Sequence, residues 1–456
     1  MNTITVVDAR MGRGKSSAAI RYMNHYKDSK RFLYITPYLD EVGRICERCD
    51  FDQPDSDHMS KSAELKLHMR MGHNVAATHS LFYLMDAEAM ELVRQQHYSL
   101  IVDESIQVIE RLNISQKDFE LILSQLAVEH EDGRIEWTDD AYTGRFYDYK
   151  EMSDTGSLFR LNNSLLNILN PDLLRSFDEV FMLTYLFDGQ YQKAYLDFFG
   201  FDYTVVGVEI DENGYRFSDH PDAPPPLDYR ELIHIIDDTK LNSVGNDKYA
   251  LSKGWYDRRR YDDPDIRKLR NGLKKFFQSI PNGGSETRLW ACFKSDVNKL
   301  VDSRTGRFRN NFLQTSARAT NQYKDRTDIA YLVNRFADPN IMSFFAKQGV
   351  TINPEHFALS EMLQWVWRSA IRDDKPINLY IPCCSLTGLT QPTKEDARLN
   401  KRYHRPLPED YLMEERAPYT YEDADLLNDD EALEQFIESE RLAFREEWFR
   451  YVEENE

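Results

Sequence analysis

The chain has 456 residues, 41% of them hydrophobic, including 25 Phe, 26 Tyr and 6 Trp, which is enough for two or three packed domains. No run of 18 apolar residues occurs, the N-terminus lacks a charged region followed by an apolar stretch, and five cysteines make no disulfide framework; these features argue against a membrane span or secretory leader and fit a cytoplasmic protein. The formal charge of −20 speaks against polyanion binding only until its distribution is read. Pro408–Glu456 holds 18 acidic and 4 basic residues, whereas Lys240–Ala330 holds 20 basic and 10 acidic, which suits either a polyanion-binding groove or a solvated surface.

In chain order, short apolar runs at Thr3–Val7, Phe32–Thr36, Val75–Thr78, Leu100–Val102, Val180–Thr184 and Tyr203–Val208 alternate with helical patterns, which predicts a parallel α/β sheet. Between the first run and the first helix, residues 9 to 16 read A-R-M-G-R-G-K-S. Phosphate binding needs backbone N–H groups at a helix N-terminus, a lysine, and a hydroxyl for magnesium. Gly12 and Gly14 free the backbone, Arg13 and Ser17 flank it, Lys15 reaches the terminal phosphates and Ser16 ligates the ion. Ala9 stands where the usual signature has its first glycine. Asp103-Glu104 closes the run at Leu100–Val102; there Asp103 would hold magnesium and Glu104 would polarise the attacking water.

The segment 128–157 breaks the strand–helix rhythm and is expected as an inserted arm. After it, the proline cluster PDAPPPLDY and a basic stretch mark residues 216–285 as a linker or accessory segment, in which Arg258-Arg259-Arg260-Tyr261 joins cations to an aromatic, as phosphate contact and base stacking require. A second set of strands follows at Arg288–Phe293, Asp328–Val333 and Ile377–Ile381, giving domains over 1–215, 286–400 and an acidic helical tail over 401–456. The tail has apolar residues near helical spacing and suits a packing helix or a site for a replication-protein partner. Cys46-Glu47-Arg48-Cys49 has zinc-ligand spacing with His58, His68 and His73 behind it. No second cysteine pair is near, and one face of a helix is the preferred reading. Cys383-Cys384 reads as packing.

Taken together, these motifs resemble superfamily 2 helicases over roughly residues 3 to 385. Ala9-x-x-Gly12-x-Gly14-Lys15-Ser16 and Asp103-Glu104-Ser105-Ile106 have the form of their nucleotide elements. The wording A-x-M-G-x-G-K is also similar to herpesvirus origin-binding helicases and phage replication proteins. Thr36-Pro37 and Thr78-His79 resemble their nucleic-acid-contacting elements, as do Thr320-Asn321 in the second half, and Phe181–Tyr185 sits where they carry a coupling element. Gln364 to Arg372 resembles the arginine-finger element. Trp367 replaces its glycine, and Arg368 and Arg372, four apart, would share a helix face.

The resemblance implies two RecA-like P-loop domains in tandem, clamping ATP and Mg2+, with Gln364, Arg368 and Arg372 completing catalysis. The partner implied is single-stranded or forked DNA in preference to RNA, within a host cytoplasm if the chain is viral. Two other classes fit the front half. A terminase-type packaging motor would need a metal-binding carboxylate cluster, for which Asp296, Asp302, Asp325 and Asp328 are the candidates, and a nucleotide switch or loader would bind DNA without unwinding it.

Overall fold

The computed structural model describes residues 3–55, 59–221, 229–236, 242–244, 249–281, 283–301, 305–315 and 321–382. His58, Thr320, Asp302, Cys383-Cys384 and the acidic tail lie outside the described residues. The chain forms two compact units. One runs over Met1–Asp222 and takes in Ala337–Asn353; the other runs from residue 223 to 336 and resumes at Pro354.

The first unit opens with β1 (Thr3–Asp8), α1 (Lys15–Tyr26), β2 (Arg31–Thr36), α2 (Leu39–Cys49), α3 (Lys61–Met71), β3 (Val75–Thr78), a helix at Ala87–Gln96 and β4 (Tyr98–Asp103). The helix ends follow local chemistry. Ser60 caps α3 by accepting from the Ala63 N–H, Asp86 caps the helix Ala87–Gln96 through Ala89, and Gly72 closes α3 at φ 72°. β4 is buried along its whole length, as expected for an interior parallel strand.

Next comes an arm built from β5 (Ile109–Leu112), β6 (Ala127–Glu129), β7 (Ile135–Trp137), β8 (Leu158–Leu161) and β9 (Ser164–Ile168). It has its own core around Phe119, Ile122, Ile135, Trp137, Phe146, Leu158 and Leu165. The arm therefore begins well before the expected boundary of 128, because β5 pairs antiparallel with β9 and both ends belong to one layer.

The chain then returns to the main sheet as β10 (Glu179–Thr184) and β11 (Tyr203–Val206). The sheet order is β11-β1-β10-β4-β2-β3, with every pair parallel. The expected strand at Tyr203–Val208 breaks at Gly207, and β12 (Val208–Asp211) instead pairs antiparallel with β13 (Gly214–Phe217). This hairpin lies on α1: Arg21 Nη1 sits 2.7 Å from Asp211 Oδ1, and Phe217 packs on Tyr22 and Phe181. A helix at Pro339–Lys347, expected within the second domain, adds Phe344 and Phe345 to Phe159 and Phe198 of the first unit.

The second unit holds a parallel sheet of β14 (Ile233–Ile235), β15 (Arg288–Ala291), β16 (Asp328–Tyr331) and β17 (Ile377–Tyr380), ordered β14-β17-β16-β15. The stretch expected as a linker supplies both β14 and the helix Pro264–Ser279, whose Phe276 meets Tyr380. An apolar face of six buried residues on that helix explains the difference, since basic residues occupy only its other side. Trp255, Trp290, Trp365 and Trp367 are fully buried in this unit. The fold is thus α/β with two parallel sheets. Among the described residues, no helix is long and apolar enough to cross a membrane.

Candidate functional site

The site forms where β1 ends. Ala9 is fully buried, and its N–H donates to the Thr184 carbonyl at 3.1 Å. The left-handed conformations of the loop fall at Gly12 (φ 85°) and Gly14 (φ 88°), not at residue 9, so alanine meets no backbone penalty there. Gly14 is the N-cap of α1, and the Tyr215 ring of the hairpin walls its open side. A Cβ at Gly14 would lie 2.4 Å from that ring. The Lys15 ammonium rests on the carbonyl oxygens of Ala9 and Arg10, the latter at 3.0 Å.

Parallel pairing through β10 sets β4 two strands from β1, and this brings Asp103 to the loop. Ser16 Oγ lies 3.3 and 3.4 Å from the two Asp103 oxygens. The Tyr34 hydroxyl, from within β2, donates to Asp103 Oδ2 at 2.7 Å. Burial raises the Asp103 carboxyl above the ordinary aspartate range, and the Tyr34 hydrogen bond opposes that rise. Glu104 follows at φ 63°, a strained conformation for a non-glycine residue that re-aims the chain as the strand ends. A serine hydroxyl beside a carboxylate is a hard-oxygen donor pair of the kind Mg2+ takes, so the residues present fit that ion.

A second network joins this corner to β10. Gln190 Oε1 accepts from Ser105 Oγ at 3.0 Å and from Thr184 Oγ1 at 2.9 Å, while Gln190 Nε2 donates to the Tyr185 carbonyl at 2.7 Å. Ser105 is thus linked to the Thr184 turn through Gln190 and by a direct 3.4 Å contact between the two hydroxyls. Sequence reasoning missed Gln190, Tyr34 and Tyr215. The Asn213-Gly214 turn between alternating residues was the readable sign of the hairpin that carries Tyr215.

Several expected contacts sit differently. His79 is buried, with Nε2 3.0 Å from the Asp103 carbonyl oxygen, so it supports the strand end. The Thr36 side chain is also buried, whereas Pro37 and Thr78 are half-exposed and Thr78 caps the short helix at His79–Phe82. Arg259 is held by Asp265 at 3.0 Å and stacked 4.1 Å over the Trp255 ring, while Arg258 and Arg260 are exposed. Asn321 begins a 3-10 turn, Asn321–Tyr323.

In the second unit the helix Pro354–Val366 carries Gln364 but stops before the arginines, and a 3-10 turn at Ala370–Asp373 follows. Arg368, 9% exposed, and the half-exposed Arg372 therefore share no α-helical face. Of the carboxylates suggested for a nuclease, Asp296, Asp325 and Asp328 are engaged in structure. Asp296 bonds Lys299 at 2.7 Å and Lys253 at 3.1 Å, and its carboxyl is held below the usual range against the opposing effect of burial. Asp328 accepts from Thr287 and Asn378, and Asp325 lies 3.7 Å from Lys375.

Comparison with known proteins gives a consistent family. The model for the YonV C-terminal Rossmann-like domain matches residues 227–391, and that for the YonV middle domain matches 109–167, which is the arm. The SPbeta prophage-derived protein YonV of Bacillus subtilis (strain 168) is 34% identical over 416 residues, covering 87% of this chain and 100% of that protein. Among solved structures, apo XPD aligns with a TM-score of 0.45 and 13% identity, covering 83% of this chain and 92% of that one. Xpd4 of S. tokodaii aligns at 0.43 and 11%, covering 84% and 92%, and the DNA-bound DUF1998 helicase MrfA at 0.32 and 10%, covering 94% and 53%. These structural likenesses are loose, and the site rests on its own residues.

Proposed function

The chain belongs to the YonV family, and on that premise we propose that it is an ATP-hydrolysing motor acting on nucleic acid, with DNA preferred to RNA. The observation that carries this reading is the meeting of Ser16 with Asp103 across the sheet, directly beside a glycine-bent loop and Lys15. The backbone N–H groups of Gly12, Arg13, Gly14 and Ser17 cradle phosphate, and Lys15 meets its terminal oxygens. Ser16 and Asp103 would hold Mg2+, which when bound would neutralise phosphate charge. Glu104 orients and polarises the attacking water. Gln364, Arg368 and Arg372 are assigned to sensing charge on the transferred group.

On the nucleic-acid side, Pro37, Thr78, Asn321, Arg258 and Arg260 are the assigned contacts. Single-stranded or forked DNA is the expected substrate, and phage DNA replication or recombination in a host cytoplasm is the setting, supported by a prophage-derived relative.

ATP turnover measured without nucleic acid and with single-stranded DNA, forked DNA, duplex DNA and RNA tests this. Stimulation greatest with single-stranded or forked DNA is expected. Equal turnover in all five leaves a nucleotide switch instead, and metal-dependent DNA cleavage by the same preparation would favour a packaging motor. Within the motor reading, Arg368→Ala is expected to slow hydrolysis about 10³-fold while keeping ATP affinity. A parallel loss of affinity would assign Arg368 to structure.

A further inference from the structure

The N-terminal edge of the first sheet, opposite the phosphate loop, gathers three potential ligand side chains that no part of the proposed motor uses. Asp52 Oδ2 lies 2.5 Å from His73 Nδ1 and 3.0 Å from His68 Nδ1, and the two Nδ1 atoms are 3.5 Å apart. Ligands around one ion at ~2.0–2.2 Å stand roughly 3.0–3.5 Å from each other in octahedral or tetrahedral geometry; the 3.0 and 3.5 Å spacings fall in that range, and the 2.5 Å pair must open by about 0.5 Å to join them. A shared proton bridges one pair of such atoms, whereas a cation satisfies all three lone pairs at once.

The backbone under these side chains is fixed. α3 ends at Gly72 in the left-handed region, and the His73 N–H returns to the His68 carbonyl at 3.1 Å, which folds His73 back beside His68. Asp52 is pinned in a parallel bridge to Val75, its N–H donating to the Asn74 carbonyl and its carbonyl accepting from Ala76, both at 2.9 Å. The Tyr98 hydroxyl donates to the His73 carbonyl at 2.5 Å. The donors are thus placed by the ends of β3, β4 and α3 rather than by free loops, which lowers the ordering cost of binding. All three side chains keep solvent access, with exposures of 43% for Asp52 and His73 and 17% for His68, which leaves room for water to complete a coordination shell.

We propose that Asp52, His68 and His73 bind a divalent transition-metal ion of the Zn2+ class, fastening the α3 segment to the N-terminal edge of the first sheet. Two imidazole nitrogens and one carboxylate suit such an ion better than Mg2+ or Ca2+, which favour all-oxygen shells. The cysteine pair that sequence spacing offers as ligands is elsewhere in role. Cys49 is packed in the hydrophobic core with its thiol pushed up to about 11 by burial, and the Cys46 thiol is raised by the same cause. The ion is structural, because its ligands bracket residues 52 to 73 at the edge remote from Lys15 and Asp103.

The test uses the full chain stripped with chelator and held in excess Mg2+, titrated with Co2+ under visible absorption and then displaced by Zn2+. One equivalent of Co2+ with ligand-field bands and no sulfur-to-cobalt charge transfer is expected, together with a Zn2+-dependent rise in melting temperature. Asp52→Asn and His73→Gln should each weaken binding at least ~100-fold, at or beyond the 10–100-fold of outer-shell changes. Cys46→Ser should bind as the parent does. Metal-free melting of each variant at the parent's temperature verifies its fold, and His68→Gln serves as the second ligand variant if either fails that check. The proposal is overturned by absence of stoichiometric binding, by binding that survives both ligand variants, or by binding lost in Cys46→Ser.

Discussion

The two edges of the first sheet carry polar clusters of opposite character. At the C-terminal edge, Lys15, Ser16 and Asp103 converge from a loop and a strand nearly ninety residues apart, with Asp103 buried and its carboxyl raised. At the N-terminal edge, Asp52, His68 and His73 come from one short interval and remain accessible to solvent. The difference follows from parallel strands. Their C-terminal ends, where βα loops open and α1 points its N-terminus, suit anions, while their N-terminal ends offer fixed backbone on which a small donor cluster can be locked.

The largest effect expected from breaking this contrast is Lys15→Ala, which should abolish ATP turnover while the melting curve stays cooperative; undiminished hydrolysis would remove the loop from the mechanism. Gly14→Ala comes next. It places a side chain at φ 88°, costing about 1–2 kcal/mol of backbone strain, and drives a methyl into the Tyr215 ring, so both nucleotide affinity and melting temperature should fall. Pairing it with Tyr215→Ala should recover part of the stability and none of the strain, measurable by denaturant titration.

Tyr34→Phe should act more gently and through pH. The Tyr34 hydroxyl lowers the Asp103 carboxyl against the upward push of burial, so removing it lets the carboxyl rise further. The acid limb of the turnover profile should then move to higher pH. An unmoved limb would show that Asp103 does not govern it. The smallest effect on turnover is expected at the other edge: His73→Gln should leave ATP hydrolysis within about twofold of the parent, because the cluster shares no residue with the phosphate loop. A large loss would mean that the two edges communicate, and the contrast between them would fail.

Most of the first sheet was legible because its strands are short, apolar and bounded by helical patterns, and β1, β2, β3 and β10 match the expected runs to within a residue or two. The phosphate loop was legible because its chemistry is contiguous. The arm was misjudged since β5, Ile-Glu-Arg-Leu, carries no continuous apolar run, and only its pairing with β9 shows that the two belong together. β14 was lost in a basic, proline-flanked stretch whose three strand residues become significant only beside β17. His79 looked available for contact from its neighbours in sequence, yet the turn after Thr78 points its ring at the Asp103 carbonyl.

The sequence by itself determined the elements whose cause is local: alternation of strand and helix, glycines where φ must be positive, and a lysine and hydroxyl at a helix start. That alanine suffices at position 9 is by contrast a finding of the structure, in which the left-handed residues of the loop are Gly12 and Gly14. Tertiary structure alone decided what depends on distance in the chain. It set Tyr34 on Asp103, Gln190 between Ser105 and Thr184, Tyr215 over Gly14, and Asp52 between two histidines. The physical reason is that a parallel sheet fixes neighbours by pairing order, and the short-range rules that shape each strand carry no information about which strand lies beside it.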